Sequence, residues 1–201
     1  DKNGLREQLV HVINELENYY DGEKNSPNIQ KLKGMLREFE EELVWANYGV
    51  RVKDVHHLRL GFYKGDIFTE QPQKKRDVAP ILDQLRELQP TVITLAMDPE
   101  GSGPDTHYKV LQSIAEAVRM WNKEADLSNL RIWGYRNVWY RFNLAEADII
   151  VPVTLNSMSI LNSTFMNCYL SQKDASFPSY EYDGPFCELS QKIWVEQHRD
   201  L

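Results

Sequence analysis

The chain has 201 residues, 42% of them hydrophobic and 26% charged, which suits one globular domain able to bury a core of its own. A formal net charge of −7 argues against general attraction to nucleic-acid backbones or anionic membranes, so neither is expected as a partner. No apolar run approaches the roughly 18 to 20 residues that span a bilayer, Asp1-Lys2-Asn3-Gly4 does not open a secretory signal, and Cys168 and Cys187 form no Cys-x-x-Cys motif, so a soluble protein of the reducing cytoplasm is expected.

In chain order, Leu5, Leu9, Val12, Ile13, Leu16 and Tyr19 recur at helical spacing and predict an amphipathic helix over 5–20. Asp21 to Pro27 reads as a connection, and Ile29 to Tyr48 as a second helix stopped by Gly49. Residues 1–30 thus form a leading helix and connection. Val52 to Leu60 predicts a short strand, followed by a loop through Gly65 to the basic cluster Lys74, Lys75 and Arg76. Asp77 to Leu88 is again helical and ends at Gln89-Pro90. Thr91 to Ala96 is a β-branched, apolar run of the kind buried in parallel sheets. Met97 to Thr106 is rich in Gly, Pro and Asp, and His107 to Trp121 resumes helical periodicity. Leu130 to Trp139 predicts an aromatic strand, Ile149 to Pro152 a short one, and Leu155 to Leu170 a helix. Residues 175–201 are a tail with a last helix around Phe186 to His198. Strands alternating with helices predict an α/β fold, a mostly parallel sheet covered by helices.

In such sheets ligands bind beyond the carboxyl ends of the strands. The loop from Asp98 to His107 occupies that place, with carboxylates at Asp98, Glu100 and Asp105, an imidazole at His107, and glycines that admit a ligand close to the backbone. Helix capping by Asp105 or Thr106 would also explain part of this composition, but the position in the fold favours a site. Arg37 could hold a sugar hydroxyl or phosphate through its planar fork, or pair with Glu40 or Glu41 on its own helix. His56 and His57, adjacent on a predicted strand, point to opposite faces and so read as core or pocket lining. The run Arg131 to Phe142 interleaves aromatics with arginines; half-buried sheet packing explains it better than a nucleic-acid platform given the acidic charge, and Arg136 stands out as a ligand contact.

Several of these segments, in order, resemble the LmbE-like (PIG-L type) N-acetylglucosamine deacetylases. Asp98-Pro99, a Gly-containing turn and Thr106-His107 opening a helix are similar to that family's later motif. Arg37-Glu38-Phe39-Glu40 resembles its Arg-x-x-Glu, Val55 to Tyr63 its next strand, and Ser171-Gln172-Lys173-Asp174 completes the set. With Trp133 to Trp139, the run from about Leu32 to about Asp174 is closest to the variety fused behind a glucosamine-6-phosphate deaminase-like domain. The resemblance implies a single domain over 1–201, a three-layer αβα Rossmann-like fold lacking the family's first strand. It also implies a zinc or similar divalent metal shared between an early His-Pro-Asp-Asp segment and His107. The early segment is absent from the sequence, so the metal belongs to an intact parent, and this stretch alone is expected to be inactive. Pro104 stands where many relatives carry a second His. The partners implied are an amino sugar or sugar phosphate, held by Arg37, Asp98 and Arg136, and the deaminase-like domain of the same polypeptide. An unpaired sheet edge would favour homo-oligomers. The alternative expectation is a non-catalytic module that binds a sugar phosphate or mediates assembly. Because the chain does not begin with Met and enters a helix almost at once, a piece of a longer protein is expected.

Overall fold

The computed structural model describes residues 2–20, 23–62, 69–97, 105–136, 142–174 and 184–201. These carry six α-helices, α1 (Lys2–Glu17), α2 (Pro27–Asn47), α3 (Ala79–Leu88), α4 (Asp105–Trp121), α5 (Leu155–Cys168) and α6 (Phe186–Asp200), and two strands, β1 (Val92–Ala96) and β2 (Arg131–Tyr135). The chain gathers into two compact units, Asp1–Val55 with Ser163–Asp174, and His56–Asn162 with Ala175–Leu201.

In the first unit, α2 starts at Pro27, two residues ahead of the Ile29 expected from the sequence. The Ser26 hydroxyl accepts the Ile29 N–H at 3.3 Å, and Pro27 occupies the first helical position, where a missing N–H costs nothing. At the far end Gly49 takes a φ of 82°, and the Val50 and Gly49 N–H groups return to Trp45 and Ala46, both at 3.0 Å. That left-handed turn is open to glycine and satisfies the last carbonyls of the helix. Glu40 is buried on α2 and accepts the Ser171 N–H at 2.8 Å and its hydroxyl at 2.5 Å. One residue along the helix, Glu41 accepts the Tyr169 hydroxyl.

The second unit is a strand, helix, strand arrangement. β1 and β2 pair in parallel, Val92 opposite Arg131 through Ala96 opposite Tyr135, with α4 between them in the chain. A parallel pair needs such a crossover, because the chain must return to the same end of the sheet before the second strand begins. This is the α/β class that the alternating pattern predicted. Its core joins Val78, Ile81, Leu82 and Leu85 of α3 and its approach to Ala117 and Trp121 of α4, with Leu58, Leu60 and Ile93 packed against them.

One buried charge organises the approach to α3. Asp77 is fully enclosed, and its carboxylate accepts the backbone N–H of Gly61 at 2.6 Å, that of Gln73 at 2.7 Å, and the Arg76 guanidinium at 2.9 Å. Burial pushes the Asp77 carboxyl up, but the hydrogen bonds from Arg76, Gln73 and Gly61 together outweigh it and leave the group below the usual carboxylate range.

Three local expectations differ from what forms. Val52 to Leu60 is one turn of 3-10 helix, Val52–Asp54, followed by irregular chain in which Arg59 has a φ of 50°. A strand cannot carry that left-handed residue. His56 is nevertheless exposed and His57 half-buried, the alternation expected of the pair. Ile149 to Pro152 is not a strand; Pro152 offers no ladder donor, and Ile149, Ile150 and Val151 remain exposed. All five residues of β2 are exposed instead of half-buried, and among the described residues only β1 pairs with it.

Candidate functional site

Because β1 and β2 are parallel, their carboxyl ends share one edge, and the Met97 N–H extends the pairing by donating to the Tyr135 carbonyl at 2.8 Å. Polar groups from two chain segments follow there, the position at which α/β sheets place ligands.

On the β1 side the chain passes into α4, whose first residues are Asp105, Thr106 and His107. Asp98, Glu100 and Pro104 lie outside the described residues. His107 is half-buried in the first turn of the helix. Lys109, only 4% exposed, donates to Asp105 Oδ2 at 2.6 Å, to the Thr69 carbonyl at 3.2 Å and to the Thr69 hydroxyl oxygen. Three ammonium hydrogens thus meet three acceptors, which is what a buried lysine requires. The Thr69 hydroxyl passes its own hydrogen to Asp105. Hydrogen bonds from Lys109 and Thr69 hold the Asp105 carboxyl below its usual range. The result pins the start of α4, and with it His107, to the segment around Thr69.

On the β2 side, Arg136 directly follows the strand, half-buried, with its guanidinium 4.5 Å from the centre of the Phe142 ring. It forms part of the wall of a cavity of about 480 Å³, together with Gly134 and Tyr135, the run Ile149–Val153, and Ser190, Trp194, Gln197 and His198 of α6. A guanidinium over a ring is engaged through its face, and the in-plane N–H groups of such a fork are of the kind that bind phosphate or carboxylate oxygens. The aromatic walls suit the C–H face of a sugar ring, and the Gln197 amide and Ser190 hydroxyl are groups that pair with sugar hydroxyls. A Cβ at Gly134 would stand 2.7 Å from Met97 Cγ, so the exposed Met97 side chain would have to move to admit one.

Of the four residues singled out from the sequence, His107 and Arg136 lie in the second unit, Arg136 directly after β2 and His107 in the first turn of α4, the helix that follows β1. Arg37 is an exposed residue of α2 in the first unit, one turn ahead of Glu40 and Glu41. Burial, with the hydrogen bond to Glu41, raises the Tyr169 hydroxyl well above the ordinary tyrosine range, while the Arg37 charge works in the opposite direction. Asp98 lies outside the described residues. A hydrolytic zinc takes three protein ligands, and among the described residues no three His, Cys, Asp or Glu side chains converge. His107 could supply one ligand; the described residues do not complete the set. The α6 lining was not legible in the sequence, because an amphipathic final helix carries no sign of which cavity it closes. Lys109 had one signal, its spacing of four from Asp105.

The fold and site therefore define an α/β domain with an arginine-walled cavity at the carboxyl edge of a parallel sheet. The chain is similar to a glucosamine-6-phosphate deaminase-like protein of Bacteroides thetaiotaomicron, with 25% identity over 178 residues, 86% of this chain and 26% of that protein. The chain thus spans about a quarter of the length of this curated relative. No family model and no solved structure matches. No helix of the described residues is long and apolar enough to cross a membrane.

Proposed function

We propose that this chain is a sugar-phosphate-binding α/β domain of a protein of amino-sugar metabolism. The observation that carries the reading is the cavity of about 480 Å³ past β2, with Arg136 in its wall beside aromatic rings. Its volume falls within the roughly 300 to 1,000 Å³ of small-molecule sites, and an arginine with rings and an amide is the combination a phosphorylated sugar needs. The name of the Bacteroides relative supports the amino-sugar class. In this reading Arg136 takes the phosphate, Trp194 and Tyr135 cover the ring, and Gln197 orients hydroxyls. Isothermal titration calorimetry with glucosamine 6-phosphate and N-acetylglucosamine 6-phosphate tests it. Binding of the phosphorylated sugars, absent for the unphosphorylated ones and weakened in Arg136→Ala, is expected; equal binding of both kinds or none would overturn it.

The finer reading is that the domain belongs with the LmbE-like deacetylases, with His107 as one ligand of a zinc or similar divalent ion and Asp98 near the substrate. Such an ion would supply Lewis acidity toward an amide carbonyl; its remaining ligands must come from outside the described residues. Zinc content and deacetylation of N-acetylglucosamine 6-phosphate, compared between this chain, a polypeptide extended to the length of the relative, and its His107→Ala variant, decide this point. Metal and activity in the extended protein, lost in the variant, support a deacetylase. Sugar-phosphate binding without metal in any of them supports the non-catalytic module.

A further inference from the structure

In α2, Ile29, Leu32, Leu36, Phe39, Leu43 and Ala46 follow one another in alternating steps of three and four, the spacing of a coiled-coil seam sustained over almost the whole helix. Such a stripe normally faces its own core. Here Ile29 alone is buried, while Leu36 is 46% exposed and Phe39 56%, with Leu32, Leu43 and the flanking Met35 also open. α1, in the same unit, likewise exposes Leu5, Leu9, Ile13 and Leu16 along one side, and the two helices touch only sparingly. The exposed apolar side chains of α2 alone amount to roughly 500 Å², and those of α1 to a similar area, against the ~800 Å² per partner of a standard stable interface. Soluble monomers rarely leave such a stripe open to water along almost a whole helix.

We infer that α2 is a self-association surface, and that two copies of this chain pair through the Leu32, Leu36, Phe39 and Leu43 stripe, with α1 of each copy flanking the seam. A second copy is the fitting occupant because a heptad stripe is complementary to another of the same kind, so one surface serves both sides of a two-fold interface. At 21 residues, α2 is about 31 Å long, enough for three layers of knobs into holes. Glu40 lies beside the seam but is already held by Ser171, so closing the interface strands no unpaired carboxylate. This inference is independent of the sugar-phosphate reading, which concerns the second unit.

Sedimentation equilibrium of the 201-residue chain from about 1 to 100 µM tests it, together with Leu36→Glu and Phe39→Glu. Both substitutions fall at exposed helical positions, so circular dichroism should stay unchanged and neither result depends on the other variant folding. The expected outcome is a species of twice the 23.5 kDa of one chain, shifted at least tenfold toward monomer by each variant. A monomer across the whole range overturns the inference. So does a dimer that survives both variants, or one that only Ile132→Lys on the open edge of β2 dissolves.

Discussion

Replacing Asp77 by Ala removes the acceptor on which Gly61, Gln73 and Arg76 converge, at distances of 2.6, 2.7 and 2.9 Å. Two backbone N–H groups then lose their acceptor where Asp77 was fully shielded from water, whereas Arg76 loses one partner and keeps Glu70. Each unsatisfied buried donor costs about 1 to 3 kcal/mol, so the two N–H groups together predict a loss of about 4 kcal/mol. Urea unfolding followed by tryptophan emission reads it, since Trp121 is buried in the adjoining core. Asp77→Asn, which keeps one acceptor oxygen, should lose roughly half as much. The pH dependence gives a second handle. The Asp77 carboxyl sits below its ordinary value of 3.8 in the folded state, so its contribution is fully present above that value and fades as pH falls through the lower folded value. The gap between wild type and Asp77→Ala should therefore be constant near neutrality and narrow below about pH 4. A loss under about 1 kcal/mol at pH 7, or a gap that does not close in acid, would refute the assignment of Asp77 as the anchor of this segment.

Gly61→Ala attacks the same anchor from the other side, because a Cβ there would stand 2.6 Å from Arg76 Nε; urea unfolding should show a loss in the same direction as Asp77→Ala, and less than the sum of the two in the double variant. Glu40→Ala leaves the Ser171 N–H without its acceptor and should cost about 2 kcal/mol in the first unit, with faster amide exchange at Ser171 as the local readout. Leu82→Ala, at a core position 3% exposed, should cost roughly 2 to 5 kcal/mol in urea unfolding. In the sugar-phosphate titration, Arg136→Ala should weaken affinity roughly 10- to 100-fold, the worth of a charge-assisted fork.

The elements that local chemistry dictates were legible in the sequence. Gly49 marks the end of α2, and Thr91 to Ala96 announces β1, because left-handed turns and β-branched runs act over a few residues. The alternation of helices and strands was enough to predict the α/β class. Where a long-range partner or a single backbone angle decides, the sequence misled or said nothing. Val52 to Leu60 has the composition of a strand, but Arg59 turns left-handed and breaks it. Ile149 to Pro152 has the side chains of a strand yet lines a cavity, since a strand exists only when a neighbour supplies hydrogen bonds.

The candidate site divides in the same way. Position past a parallel strand directed attention to the loop that ends at His107, and the mixture of aromatics and arginines to Arg136, which follows β2 directly. The sequence by itself determined the class of fold and, within a few residues, the extents of the helices, both consequences of interactions between near neighbours. Tertiary structure alone decided that Lys109 is buried against Thr69, that Asp77 gathers three donors, and that α6 closes the cavity around Arg136. Those pairings join residues far apart in the chain, and burial, which only the packed fold creates, is what gives them their energy.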